Sequence, residues 1–150
     1  MRFSQRLPHA GKRRALSDVQ SPVNQGPSQS SRDAEGAPMG KVVFVNSDRI
    51  GDGEAELGKK LMQAFFYSLA RTDATPSAVL FMNTGVHLTC EGSAALDDIK
   101  MLAAEGVAIK SCGTCLDYYG FTDALAVGEV GTMPDTVATF MAADSVVSVG

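Results

Sequence analysis

Short apolar runs alternate with amphipathic stretches along residues 41–150. The apolar runs are 41–46, 78–83, 106–111, a short run within 124–130, and 145–149. Nearly continuous apolar character over so few residues is typical of parallel strands covered on both faces. Between the runs, apolar residues recur at helical spacing. The three predicted helix faces are Leu57, Leu61, Phe65 and Leu69 with Met62 and Phe66; Leu96, Ile99, Leu102 and Ala103; and Met133, Val137, Phe140 and Met141.

Capping and helix-terminating residues predict where these helices begin and end. Asp52 is placed to cap the first helix, and Gly106 to end the second. Gly120 is expected to end a short helix that follows the third strand. Thr132, Pro134 and Asp135 form a helix-start pattern: a capping hydroxyl, a proline in the first turn and an acid three residues on.

Five strands alternating with helices predict an α/β fold, a three-layer sandwich around a mostly parallel five-stranded sheet. Right-handed crossovers leave few topologies, of which the flavodoxin-like order 2-1-3-4-5 is the commonest. Ligands of such sheets bind at the C-terminal ends of the strands. Four predicted loops therefore share one rim of the sheet: 47–53, 84–90, 112–115 and 128–132.

Residues 1–40 differ in composition from the rest of the chain. They are rich in Ser, Pro, Gln and Gly and carry six cationic against three acidic residues, whereas residues 41–150 carry seven against fourteen. A segment this poor in large apolar side chains predicts a disordered tail or linker. We therefore expect two parts, a tail at 1–40 and one α/β domain at 41–150.

Charge, hydropathy and cysteine content narrow the functional class. The net charge of −4 gives no general case for nucleic-acid binding, and no apolar stretch approaches the length of a membrane span. No apolar segment typical of a secretory signal occurs near the N-terminus. Three cysteines, an odd number, favour reactive thiols in a reducing compartment over a disulfide scaffold. We expect a cytoplasmic protein.

The pair Cys112 and Cys115 forms a Cys-x-x-Cys motif directly after the third predicted strand. If a helix opens there, its unpaired N–H groups and positive dipole end favour a thiolate at Cys112. Cys112 is the preferred nucleophile, and Cys115 could resolve an oxidised or persulfidated Cys112 as an internal disulfide. Redox proteins, zinc sites and sulfur carriers all use this spacing, and two inert buried cysteines are a further alternative.

His87 and Cys90 in the neighbouring loop leave a zinc site open as an alternative. Together with Cys112 and Cys115 they would supply four ligands of suitable type. A lone Cys-x-x-Cys is only half of a zinc signature, and the two strand ends are expected to lie far apart. A histidine that merely packs or hydrogen-bonds in its loop is the simpler reading of His87.

The loop 47–53 occupies the place where a flavodoxin cradles a flavin phosphate. Here it carries Asp48 and Asp52, whose negative charge opposes phosphate binding. It also lacks a run of hydroxyl residues, and the chain has no P-loop or dinucleotide fingerprint. We expect neither a flavin nor a nucleotide, and no other cofactor is indicated.

Several stretches, in order, together resemble one known family. They are Asn46-Ser47-Asp48 with Gly51 and Glu56-Leu57-Gly58; Phe81-Met82-Asn83-Thr84-Gly85-Val86-His87-Leu88-Thr89; Ser111-Cys112-Gly113-Thr114-Cys115-Leu116-Asp117-Tyr118-Tyr119; and Val127-Gly128-Glu129-Val130. This set is similar to the YedF family of sulfurtransferase-like selenium metabolism proteins, whose C-terminal domain belongs to the DsrE-like superfamily.

The resemblance implies a DsrE-like α/β fold, commonly oligomeric, with a cysteine after the third strand that accepts a persulfide sulfur. That cysteine corresponds to Cys112. For our part, we expect the rim around it to be shaped by Asn83, Gly85, His87, Cys90, Ser47 and Asp48. YedF proteins often carry an N-terminal TusA-like domain with a Cys-Pro-x-Pro motif, which residues 1–40 lack. Separate sulfur-donor and sulfur-acceptor proteins are therefore expected, a TusA-like carrier among them.

The leading hypothesis is a sulfurtransferase-like persulfide carrier that handles sulfur or selenium and assembles as a homo-oligomer. A zinc-stabilised or structural interaction protein without turnover is one alternative. A dithiol redox protein is another. The sequence does not choose between sulfur and selenium as the cargo.

Overall fold

The computed structural model describes residues 40–150, so the predicted tail lies outside the described residues except for Gly40. Strands and helices alternate throughout this part of the chain, as the apolar pattern predicts. The five strands are β1 (Lys41–Val45), β2 (Ala78–Phe81), β3 (Ala108–Cys112), β4 (Glu129–Gly131) and β5 (Ser145–Val149). The four α-helices are α1 (Ala55–Leu69), α2 (Leu96–Ala104), α3 (Gly113–Tyr119) and α4 (Met133–Ala142), with 3₁₀-helices at Asn83–Thr89 and Thr122–Ala124.

All five strands pair in parallel, in the order β4-β3-β2-β1-β5. The α/β class and the parallel five-stranded sheet are confirmed, but the predicted order 2-1-3-4-5 is wrong. Strands β1 to β4 each add next to their predecessor in one direction, and the chain reverses only once, when β5 pairs with the free edge of β1. In the flavodoxin order the reversal comes earlier, and apolar runs of similar length do not reveal where it falls.

The sheet separates two unequal apolar clusters. The larger cluster joins α1, α2 and α3 to one face through buried side chains such as Phe66, Ile99 and Leu116. The smaller cluster lies on the other face, where Phe140 of α4 meets Phe44 with ring centroids 5.2 Å apart. Three helices therefore cover one face and one helix covers the other, as expected when successive crossovers have the same hand and only the last reverses direction.

Helix α1 is rotated relative to the predicted stripe. It buries Gly58, Met62 and Phe66, whereas Leu57 and Leu61 are 56% and 45% exposed. Gly58 is the reason: a Cβ there would lie 2.9 Å from the carbonyl oxygen of Ile50, so only glycine permits this close contact. The helix face that carries Gly58, Met62 and Phe66 therefore packs against the sheet. The predicted cap is also wrong, because Glu54 holds the N-cap position and makes no side-chain cap bond.

Helix α4 presents most of its predicted apolar face to solvent. Thr139 is buried and Phe140 half-buried, while Met133, Val137 and Met141 are 54%, 51% and 82% exposed. The predicted helix start is confirmed, since the Thr132 hydroxyl accepts a hydrogen bond from the backbone N–H of Asp135 at 3.3 Å. In α2 the predicted inward residues Leu96, Ile99 and Leu102 are buried.

No helix in the described residues 40–150 is long and apolar enough to cross a membrane.

Candidate active site

The two cysteines of the Cys-x-x-Cys motif lie at the carboxyl edge of the sheet, where β3 gives way to α3. Cys112 is the last residue of β3 and the N-cap of α3, and Cys115 lies in the first turn of that helix. Both are free and half-buried. Cys115 lies close enough to Cys112 for Cys112 to raise the pKa of the Cys115 thiol. The structure therefore brings together the two residues that the sequence predicts to carry the chemistry.

A buried pair of hydroxyls fixes the end of β3 just before Cys112. Thr89 donates its hydroxyl proton to the carbonyl of Val86 at 2.9 Å, and its oxygen lies 2.7 Å from the Ser111 hydroxyl oxygen. A hydroxyl has one proton to give, so Ser111 is the donor to Thr89. Both side chains are fully buried. This pair ties the 3₁₀-helix Asn83–Thr89 to β3, and so to the cysteine that follows.

Asn83 contacts the site through both its backbone and its side chain. It is the first residue of the 3₁₀-helix Asn83–Thr89, and its φ of 51° is the only positive value among non-glycine residues in the described part of the chain. Its backbone N–H donates to the Cys115 sulfur at 3.2 Å, and its side-chain oxygen accepts from the Tyr119 hydroxyl at 3.0 Å. Asparagine tolerates the left-handed region better than most residues, and such outliers concentrate at functional sites.

A shallow cavity of about 410 Å³ opens beside Cys115. None of its lining residues carries a full charge, and most of the lining is aromatic or apolar. They are Met82, Asn83, Thr114, Cys115, Tyr118 and Tyr119. The half-buried Cys115 thiol therefore lies among uncharged side chains in this cavity.

The surroundings of Cys115 have opposing effects on the pKa of its thiol. Burial raises the pKa of Cys115, and the hydrogen bond to Cys112 and the charge of that residue raise it further. The N–H of Asn83 acts in the opposite direction and lowers the pKa. The net effect is upward. The Cys115 thiol is therefore a weaker acid than a free cysteine thiol.

His87 and Cys90 lie apart from the cysteine pair. The His87 ring contacts Tyr119 and Phe121 edge-on, with centroid distances of 4.7 and 4.8 Å. Its Nε2 is buried with no hydrogen-bond partner in the described residues. Cys90 is buried and donates its thiol to the carbonyl of Val86 at 3.2 Å. Burial raises the pKa of Cys90, against a smaller lowering effect of Thr89.

The four candidate zinc ligands do not come together. Within residues 40–150 no group of three or more His, Cys, Asp or Glu side chains is arranged to hold a metal ion. Cys90 faces the core and Cys115 faces the outer cavity, while the His87 ring lies between two aromatic rings. The four side chains follow two different strands, whose ends the sequence predicted to lie far apart.

The predicted rim residues divide between two places. Asp48, His87 and Cys90 line a second cavity of about 390 Å³, separate from the one at Cys115. Asp48 donates its N–H to the Thr84 hydroxyl at 3.2 Å, while Ser47 accepts from the N–H of Arg49 at 3.2 Å. These bonds order the loop after β1. Neither Ser47 nor Asp48 lines the cavity at Cys115.

Gly85 has a packing role rather than a contact with the cysteines. A Cβ on it would overlap the carbonyl oxygen of Val45, so the 3₁₀-helix lies directly against the end of β1. This close contact places Asn83, two residues earlier, at the mouth of the cavity.

Sequence reasoning missed Tyr119 as a member of the site. Tyr119 donates the hydrogen bond to Asn83 and lines the cavity at Cys115. One signal was present: Tyr119 follows Cys115 by four residues, the spacing that places two side chains on one face of a helix. The signal is weak because the helix has only seven residues.

No family model and no curated protein matches the chain. Solved structures resemble it in fold. The ychN protein from E. coli matches with a TM-score of 0.52 and 20% identity, covering 73% of this chain and 98% of that one. MTH1491 from Methanobacterium thermoautotrophicum, a protein of unknown function, matches at 0.51 and 19%, covering 71% and 98%. BT1422 from Bacteroides thetaiotaomicron, a conserved protein of unknown function, matches at 0.52 and 12%, covering 82% and 100%.

These likenesses confirm the predicted DsrE-like α/β fold. Identities of this size show the fold alone.

Proposed function

We propose that the protein is a sulfurtransferase-like carrier that holds a persulfide, or the corresponding selenium species, on Cys112 and transfers it to a partner. The observation that carries the proposal is the pair of free cysteines where β3 meets α3, with Cys115 lining an uncharged cavity at the carboxyl edge of the sheet. Chemistry in parallel α/β sheets concentrates at this edge. The DsrE-like fold is consistent with sulfur handling.

The proposed reaction has two balanced steps. In the first, the Cys112 thiolate attacks the terminal sulfur of a donor persulfide, which leaves the donor as a thiolate and Cys112 as a persulfide. In the second, an acceptor thiolate attacks the terminal sulfur on Cys112, and the Cys112 thiolate is the leaving group. No net oxidation occurs, because the transferred sulfur keeps its oxidation state. The deprotonated sulfur is the nucleophile at each step.

The partners in this proposal are a sulfur donor and a sulfur acceptor on separate chains, in the cytoplasm. Residues 41–150 carry seven cationic and fourteen acidic side chains, which suits a basic partner such as a TusA-like carrier. No nucleic acid or membrane enters the scheme. A second copy of the chain is also proposed, because exposed apolar residues lie on α4 and β5, at the thinly covered side of the sheet: Met133, Val137, Met141, Val146 and Val147.

Intact mass measurement after persulfide treatment tests the proposal. We expect one added sulfur atom on Cys112, and none there after Cys112→Ser. Cys90→Ser is the matched control, because Cys90 is buried and serine keeps a hydroxyl that can donate to Val86. No added sulfur on any cysteine, or equal loading after Cys112→Ser, would sink the assignment.

A dithiol redox protein is the second candidate, favoured by the position of the two free cysteines at the N-cap and in the first turn of one helix. An internal disulfide between them would be the oxidised form in this function. A reduction potential within about −120 to −270 mV, the range of thiol–disulfide oxidoreductases, would support this function. A potential well outside that range would count against it.

A further inference from the structure

Specific contacts hold the Cys115 side chain in place, although a carrier that uses Cys112 alone would not need them. We propose that Cys115 is a resolving thiol that displaces the terminal sulfur of a Cys112 persulfide as hydrogen sulfide, or as the selenide when selenium is carried. The inference rests on the proposed function for its loading step. It adds an activity: the protein releases the cargo in reduced form.

The geometry gives Cys115 a defined direction. Cys115 lies in the first turn of α3, for which Cys112 is the N-cap, and its sulfur accepts the N–H of Asn83 at 3.2 Å. Asn83 is in turn held by Tyr119, which follows Cys115 by one helical turn and donates its hydroxyl at 3.0 Å. Cys115, Asn83 and Tyr119 are thus linked by two hydrogen bonds between α3 and the 3₁₀-helix Asn83–Thr89. Carrying a persulfide on Cys112 alone needs none of them.

The release step balances in atoms and electrons. Cys115 loses its proton to water, and its thiolate sulfur attacks the Cys112 Sγ. The bond between Sγ and the terminal sulfur breaks, and the terminal sulfur leaves with the electron pair as HS⁻. The terminal sulfur is reduced to sulfide and the Cys115 sulfur is oxidised, while the Cys112 Sγ, already oxidised on loading, passes from the persulfide into a disulfide. A dithiol, or two equivalents of a monothiol, must then reduce that disulfide to return the protein to its starting state.

The N–H of Asn83 supports the attack. Burial raises the pKa of Cys115, whereas the hydrogen bond from the Asn83 N–H stabilises its thiolate, the form that attacks. The cavity lining adds no charged side chain, and its other ionisable groups are the phenols of Tyr118 and Tyr119. The nucleophilicity of Cys115 therefore depends on the hydrogen bond from Asn83.

Glutathione persulfide loading of the reduced full-length chain tests the inference. After rapid desalting, free sulfide and intact mass are followed together without reductant. We expect the wild type to release one sulfide per chain and to end lighter than the dithiol form by two hydrogens. Cys115→Ser should keep the added sulfur on Cys112 and release no sulfide. Cys90→Ser should behave like the wild type.

The alternative outcomes separate the two proposals. If the wild type keeps its persulfide as long as Cys115→Ser does, the release activity is wrong and the carrier function stands. If neither protein gains sulfur on Cys112, the carrier function fails, and the inference fails with it. If Cys115 is loaded and Cys112 displaces the sulfur, the roles assigned to the two cysteines are wrong.

Asn83 and Tyr119 are positioning residues in this scheme, and their test separates release from loading. Tyr119→Phe removes one hydroxyl, and it should lower the ratio of the sulfide-release rate to the loading rate by about tenfold. Asn83→Gly keeps the backbone N–H and a residue suited to positive φ, so it should retain more release activity than Asn83→Ala. Tyr67→Phe, on α1 away from the cavity, is the control. Equal slowing of loading and release in Tyr119→Phe would indicate a purely structural role and overturn the assignment.

Discussion

The buried hydroxyl pair of Thr89 and Ser111 permits a sharp test of what holds the end of β3 in place. Thr89→Val replaces a hydroxyl with a methyl group of similar size, so packing is nearly conserved. Two hydrogen bonds are lost: Thr89 to the Val86 carbonyl and Ser111 to Thr89. The Val86 carbonyl still accepts the Cys90 thiol. The Ser111 hydroxyl, by contrast, is left fully buried with no partner.

The magnitude follows from these contacts. Losing the bond to Val86 costs about 1 kcal/mol, and the unpaired Ser111 hydroxyl adds about 1–3 kcal/mol of desolvation. Thr89→Val should therefore lower the free energy of unfolding by about 2–4 kcal/mol. Ser111→Ala removes one partner, while Thr89 keeps its bond to Val86, so it should cost about 1 kcal/mol. In the double variant no hydroxyl remains unpaired, and the loss should be no greater than in Thr89→Val alone.

Urea unfolding of the four proteins, followed by far-ultraviolet circular dichroism, measures these differences. The expected signature is strong non-additivity, with the double variant more stable than the sum of the single losses predicts. Losses that add within about 0.5 kcal/mol would refute the reasoning, because sites that add in this way do not interact.

Three further predictions concern the site and the surface. Gly85→Ala should destabilise the fold by about 1–3 kcal/mol, because its Cβ would overlap the backbone at the end of β1; Gly53→Ala, with no atom within 4 Å of the added methyl, should change the free energy of unfolding by less than about 0.5 kcal/mol. Alkylation of Cys115 should require a more alkaline pH than a free cysteine, since its pKa is raised, and Cys112→Ala should shift the midpoint to lower pH by removing two of the influences that raise it. Peptide mapping across a pH series measures this midpoint, and an unchanged or higher value in Cys112→Ala contradicts the contribution of Cys112. Met141→Glu changes a side chain that is 82% exposed, so urea stability should stay within about 0.5 kcal/mol while light scattering detects a smaller assembly; an unchanged mass would remove α4 from the proposed interface between copies.

Apolar runs and punctuating residues predicted the strands well, because a parallel strand must be apolar on both faces wherever it lies in the sheet. They did not predict which face of α1 turns inward. Leu57 and Leu61 have the hydrophobic character of core residues, but the close contact of Gly58 with Ile50 decides the rotation of the helix. That contact joins the helix to the loop before it, and helical periodicity does not report it.

The residues of the candidate site, too, were only partly predictable from the sequence. Cys112 and Cys115 were found from their spacing and their position after a strand, because the carboxyl ends of parallel strands form one edge. Tyr119 and the double role of Asn83 were not found. They depend on a backbone N–H, a positive φ and the alignment of α3 with the 3₁₀-helix that follows β2.

The sequence by itself determined the α/β class, the parallel strands and the position of the cysteine pair, since each follows from local periodicity or from order along the chain. Only the tertiary structure decided the strand order, the separation of His87 and Cys90 from the cysteine pair, and the hydrogen bonds that link Asn83 to Cys115 and Tyr119. These features depend on which distant segments pack together. The physical reason is that apolar burial favours many arrangements almost equally, whereas close backbone contacts and buried hydrogen bonds are satisfied in very few.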